Sequence, residues 1–179
     1  MKVVLTMDKQ YASALFDIVK EDKALNEAKE SFDVFVDVLN SNIDFWNVLN
    51  SPKIKTDEKK NLIKETFKPC LEDFILFLYV VLDNGRIDKI FDIHKQFVYL
   101  FNEENNIKVI EVISSSELTE NEKRKLNESL KKYYEGYVVI IHNKIDSKII
   151  GGYHILVNGK SIDLSIKRKI DDLSKFILN

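Results

Sequence analysis

Nine consecutive apolar residues, Phe74 to Leu82 (F-I-L-F-L-Y-V-V-L), lie between Glu72-Asp73 and Asp83-Asn84-Gly85. A bilayer span needs roughly 20 such residues, so this run is too short to cross a membrane. Gly85 ends it, because glycine enters the left-handed conformation cheaply. Read as a helix, the run is apolar in every direction around its axis, whereas a surface helix needs only one apolar stripe. Either neighbouring elements surround this helix, or one stripe stays open for a partner.

The first helix poses the same question. Thr6 is placed to cap it, and it runs through Val19. Met7, Tyr11, Ala14 and Ile18 form one apolar stripe; Ala12, Leu15, Phe16 and Val19 form another. One stripe can face a core and leave the other to be covered, and the small Ala14 lets another helix come close. Further helical patterns cover Ala24–Leu39, a short segment capped by Ser41 and holding Ile43, Trp46 and Leu49, and a fourth opened by Thr56-Asp57-Glu58. Pro69 is expected in the first turn of the fifth, and a sixth runs from about Ile87 to Glu103. Short polar connections between six helices predict a compact bundle.

The pattern changes after Asn105-Asn106. Ile107–Ile113 is rich in β-branched residues and reads as a strand. Thr119-Glu120-Asn121-Glu122 is a capping box that opens a polar helix ending near Gly136. Tyr137–His142, Ile149–Val157 and Lys160–Leu164 read as strands, the last two joined by a tight Asn158-Gly159 turn. A final helix buries Ile166, Ile170, Leu173 and Ile177. The expected class is α+β: a six-helix bundle over residues 1–105, then a small mixed α/β domain over 106–179.

Catalytic equipment is scarce. His94, His142, His154 and Cys70 have no metal-ligand spacing, and surface or strand-edge positions are expected for the histidines. Gly151-Gly152 lacks the lysine and the spacing of a phosphate loop. No cofactor and no metal are expected, and the enzyme hypothesis has no residue to rest on. With one cysteine no internal disulfide is possible, and a net charge of −2 gives no overall field toward nucleic acid or anionic lipid. The basic runs Lys123-Arg124-Lys125, Lys131-Lys132 and Lys167-Arg168-Lys169 are interleaved with acidic residues. The last puts positive charge in the first turn of a helix, where the dipole disfavours it, and so hints at an acidic partner. The rival function, a small nucleic-acid-binding module, would use these basic turns.

Three stretches resemble signatures of the F-type ATP synthase delta subunit, the bacterial counterpart of the mitochondrial oligomycin-sensitivity-conferring protein. They are Tyr11-Ala12-Ser13-Ala14-Leu15-Phe16; Asp83-Asn84-Gly85-Arg86-Ile87; and Ile145-Asp146 followed by Ile150-Gly151-Gly152 and Ile162-Asp163-Leu164-Ser165. The similarity spans essentially the whole chain and keeps the order and spacing of all three. Gly85, Arg86, Asp146, Gly151, Gly152, Asp163 and Ser165 are its motif residues. One departure is Leu164, where the family usually carries glycine.

The resemblance implies a non-catalytic stator subunit that joins the catalytic head to the peripheral stalk. It implies that the N-terminal domain binds the N-terminal helix of an alpha subunit between its first and fifth helices. Tyr11, Ala14 and Ile18 are expected there, faced by Leu76 and Val80. It implies that the C-terminal domain holds the C-terminus of the stalk's b subunit, with Lys167 and Arg168 as candidate contacts. No nucleic acid is expected as a partner. Membrane association is expected only through partners, on the cytoplasmic face of a bacterial inner membrane, since no presequence is visible.

Overall fold

The computed structural model describes residues 6–147, 153–157 and 160–163. The chain divides into two compact units, Met1–Phe101 and Asn102–Asn179, and its class is α+β. Unit 1 holds α1 (Met7–Glu21), α2 (Leu25–Ser41), α3 (Ile43–Asn50), α4 (Thr56–Thr66), α5 (Glu72–Asp83), a 3-10 turn at Ile87–Lys89, and α6 (Ile90–Glu104), whose last turn passes into unit 2.

The core of unit 1 is aromatic. Phe32 of α2 is fully buried, with its ring centroid 4.9 Å from Phe74, 6.0 Å from Phe77 and 5.7 Å from Phe97. Edge-to-face and tilted pairs of this kind add about 0.5–1.5 kcal/mol each beyond area burial. α5 supplies Phe74, Phe77, Leu78, Val81 and Leu82 to the interior. It stops in a Schellman motif: Gly85 N–H donates to Leu82 O and Arg86 N–H to Val81 O, both at 2.9 Å, with Gly85 at φ +62°.

Some helix starts differ from the sequence reading. Asn42, not Ser41, caps α3, its Oδ1 accepting from Phe45 N at 3.0 Å; the Ser41 hydroxyl instead donates back to Asp37 O within α2. Thr6 stands at the N-cap of α1 but makes no side-chain cap bond. Pro69 is not in the first turn of α5. It lies in the turn before it, where Cys70 N–H donates to Phe67 O and Leu71 N–H to the Ser31 hydroxyl. That bond from α2 fixes Leu71 as the N-cap and delays the helix to Glu72.

Unit 2 is built on β1 (Ile107–Ser114), α7 (Glu120–Tyr133), β2 (Val138–Ile145), β3 (Tyr153–Val157) and β4 (Lys160–Asp163). The strand order is β2-β1-β3-β4; β1 and β2 are parallel, and the other pairs antiparallel. A parallel pair needs a long crossover, and α7 provides it. Thr119 and Glu122 form the full capping box at its start. Ile110, Val112, Val139 and Ile155 cluster with Leu118, and Leu126 and Leu130 of α7 pack on them. β2 runs three residues past the expected His142, because the register with β1 continues to Ser114–Ile145. Asn143 braces that extension, donating to Val112 O at 3.0 Å and Ser114 Oγ at 2.8 Å, and accepting from Leu118 N. The expected last helix and the Asn158-Gly159 turn lie outside the described residues.

Phe32→Ala is expected to cost about 3–5 kcal/mol, the range for emptying a buried aromatic site. Gly85→Ala is expected to cost about 1–2 kcal/mol, from the left-handed backbone alone, since no atom lies within 4 Å of the added Cβ.

Candidate partner-binding groove

The two stripes of α1 have separate fates. Ala12, Leu15, Phe16 and Val19 are buried, whereas Met7 and Ile18 are 40% and 52% exposed. α5 divides in the same way: while five of its side chains go inside, Leu76 and Val80 stay 52% and 50% exposed. These four open side chains face one another across a single groove of about 510 Å³ between α1 and α5. The floor is made by Leu15 and Phe77, both buried. Tyr11 is half-buried, its ring edge-on to Phe77 at 6.5 Å. Ala14 is exposed in the groove wall, and its small side chain leaves the trough open.

All five groove residues named from the sequence, Tyr11, Ala14, Ile18, Leu76 and Val80, therefore line one cavity. Gln10, Asp73 and the Phe77 floor also line it and were not expected. Helical spacing points to them: Asp73 and Phe77 precede Leu76 and Val80 by three residues, and Gln10 precedes Ala14 by four. Completing the burial of Met7, Ile18, Leu76 and Val80 would contribute roughly 3–6 kcal/mol, taking half of the usual value for each side chain. Among the described residues no group of three or more His, Cys, Asp or Glu side chains could hold a metal; the groove can take an apolar stripe.

The motif residues serve as structure. Gly85 is the α5 terminator described above, and Arg86 is exposed beside it. Asp146 follows β2, its N–H donating to Ser114 O at 2.9 Å. Asp163 ends β4 and pairs in register with His154. Gly151, Gly152, Ser165, Lys167 and Arg168 lie outside the described residues.

His94 is not at the surface position expected for it. It is half-buried on α6, packs against the Phe32 ring at 4.9 Å, and places Nε2 at 2.7 Å from Asp33 Oδ1 on α2. Lys29 donates to the other carboxylate oxygen. Burial pushes the Asp33 carboxyl up, but the hydrogen bonds and charges of Lys29 and His94 outweigh it and hold the group below its ordinary 3.8. The cluster is an interhelix tie. Cys70 is half-buried in the turn before α5, in a second depression of about 470 Å³ against α2. On α7, Lys123 pairs with Glu120 at 2.9 Å and Arg124 bonds Asn121, so this basic run is engaged locally.

A sequence profile described as ATP synthase delta (OSCP) subunit matches residues 7–177. Curated relatives cover nearly the whole chain. ATP synthase subunit delta of Lachnoclostridium phytofermentans is 32% identical over 170 residues, 94% of this chain and 93% of its own. That of Clostridium kluyveri is 30% identical over 173 residues, 96% and 95%. A chain of the Toxoplasma gondii mitochondrial ATP synthase hexamer superposes with a TM-score of 0.81 at 16% identity, over 98% of this chain and 99% of that one, which shows a shared fold.

A depressed carboxyl stabilises the fold above its unfolded pKa, and that contribution is lost as pH falls through the folded value. The Asp33 tie is thus expected to be intact at neutral pH and to fail on acidification below about 3.8. Asp33→Asn should lower stability at pH 7 and flatten its acid limb. Urea midpoints for both proteins at stepped pH check this; parallel acid limbs would dismiss the tie.

Proposed function

The chain belongs to the ATP synthase delta (OSCP) subunit family, a non-catalytic subunit of the complex, and on that premise we propose that it is a stator clamp of a proton-translocating F-type ATP synthase. The helical unit is a six-helix bundle that presents the α1/α5 groove to the N-terminal helix of an alpha subunit. Unit 2 holds the C-terminus of the peripheral stalk's b subunit, with Lys167 and Arg168 of the last helix among the contacts. The protein stands on the cytoplasmic face of a bacterial inner membrane and reaches the membrane through these partners. Among the described residues no helix is long and apolar enough to cross one.

The open apolar groove carries this reading. A trough between two helices, walled by side chains about half exposed, fits helix-in-groove recognition, in which a partner's i, i+3, i+4 stripe completes the burial. Proton flow turns the rotor, and the catalytic head must not turn with it; a clamp that slips wastes torque. Nanomolar attachment corresponds to about −12 kcal/mol, which a standard-size interface reaches with a few good anchors. Attachment at both units raises the effective concentration of each contact. The local pairing of Lys123 and Arg124 supports protein partners over nucleic acid.

Ala14→Asp puts an unpaired charge into the apolar contact and is expected to weaken binding of the alpha N-terminal peptide by about 2–4 kcal/mol, with the helical unit still folded because Ala14 is exposed. Titration calorimetry with that peptide, alongside circular dichroism, checks it; unchanged affinity in a folded variant would remove the groove assignment.

A further inference from the structure

The apolar floor of the α1/α5 groove is bordered by carboxylates that, among the described residues, no basic side chain neutralises. On α1, Gln10, Ala14, Asp17 and Glu21 follow one another at steps of four, three and four, so they form one exposed ridge beside the Tyr11–Ile18 stripe. On α5, Asp73 is half-buried and lines the groove with Leu76 and Phe77. Among the described residues Asp17, Glu21 and Asp73 have no ion pair and no side-chain hydrogen bond, whereas Asp83 at the far end of α5 is held by Lys60 at 2.6 Å. Among the described residues no basic side chain lines the groove. Lys20 of α1, three residues after Asp17, extends over the Phe16 ring.

Local helix physics accounts for Asp73, which shares the first turn of α5 with Glu72 where the dipole favours both, but not for the α1 pair. Asp17 and Glu21 are an i, i+4 pair of like charge, which is mutually repulsive. Glu21 is also the last residue of α1, at the negative end of its dipole. An unfavourable local pattern along one edge of an open apolar trough is relieved by cations brought from outside.

We infer that the helix seated in this groove carries lysine or arginine along the borders of its apolar stripe, and that these cations meet Asp17, Glu21 and Asp73. The inference rests on the groove reading above and adds the charge of the partner to it. Long basic stems also suit the site, since they can lie over half-exposed Leu76 and Val80 while their heads reach the carboxylates. Such rim pairs act on association rate, partner choice and salt dependence more than on final affinity.

The test uses the full chain and two synthetic amphipathic peptides of about 20 residues, long enough to form a helix on binding. Both carry the same apolar stripe; its borders are lysine in one and glutamate in the other. The lysine peptide is expected to bind about tenfold more tightly at low salt, chiefly through faster association, with the gap closing at high salt. The combined variant Asp17→Asn, Glu21→Gln, Asp73→Asn should bind both peptides alike. Equal binding to the unmodified chain, or preference for the glutamate peptide, overturns the inference. If Ala14→Asp still abolishes that binding, the groove reading stands without it. Binding of neither peptide overturns both.

Discussion

Packing around α5 is the constraint on which unit 1 depends. Its nine-residue apolar run is too hydrophobic for a surface and too short for a membrane. α2 meets it with Phe32, 4.9 Å from Phe74 and 6.0 Å from Phe77, and Phe97 of α6 packs on Phe32 at 5.7 Å. Once Phe74, Phe77, Leu78, Val81 and Leu82 are committed inward, helical geometry forces Leu76 and Val80 outward. The same logic acts on α1, where burying Leu15, Phe16 and Val19 turns Ile18 to solvent. The groove is therefore a consequence of how the core is filled.

Two features keep it open. Ala14 supplies no bulk with which α1 could close on α5. Tyr11 is fixed edge-on to Phe77 and so forms a wall without filling the trough. A larger residue at position 14 would cover Val80 or Leu76 from within the chain and lower the exposed apolar area. An exposed contiguous apolar patch on a monomer marks an interaction site or an aggregation hazard. The bordering carboxylates suit the first role, since their charge discourages self-association through the groove.

The groove was legible because it is written in local periodicity. Two stripes on α1 and an over-apolar α5 can be read from spacing alone. The capping box at Thr119 and the stop at Gly85 are likewise local, and the structure has both. What escaped the sequence depends on residues distant in the chain. His94 meets Asp33 across 61 positions, so its half-buried tie looked like a surface histidine. Pro69 resembled a helix opener, but the Ser31 hydroxyl, 40 residues before its acceptor-seeking partner Leu71, sets the start of α5. β2 outruns its apolar pattern because β1 offers it continued pairing. The cap of α3 is the exception. Ser41 and Asn42 are both capping types, and the one-residue choice follows from Ser41 still lying in α2.

On the proposed reading, apolar floor and acidic border divide the work of holding a stator. A clamp under torque needs a slow dissociation rate, and that comes from apolar contact area in a dry trough, which salt does not screen. Assembly needs a partner found quickly and in the right register, and exposed charges act on that step. Asp17 and Glu21 are exposed, so each contributes little once the complex has formed, typically below 1 kcal/mol. An alternative design with buried charge pairs would incur desolvation and gain little net affinity. Keeping carboxylates on the rim and hydrocarbon on the floor therefore separates speed of assembly from strength of attachment, and lets either be altered by substitution without disturbing the phenylalanine core beneath.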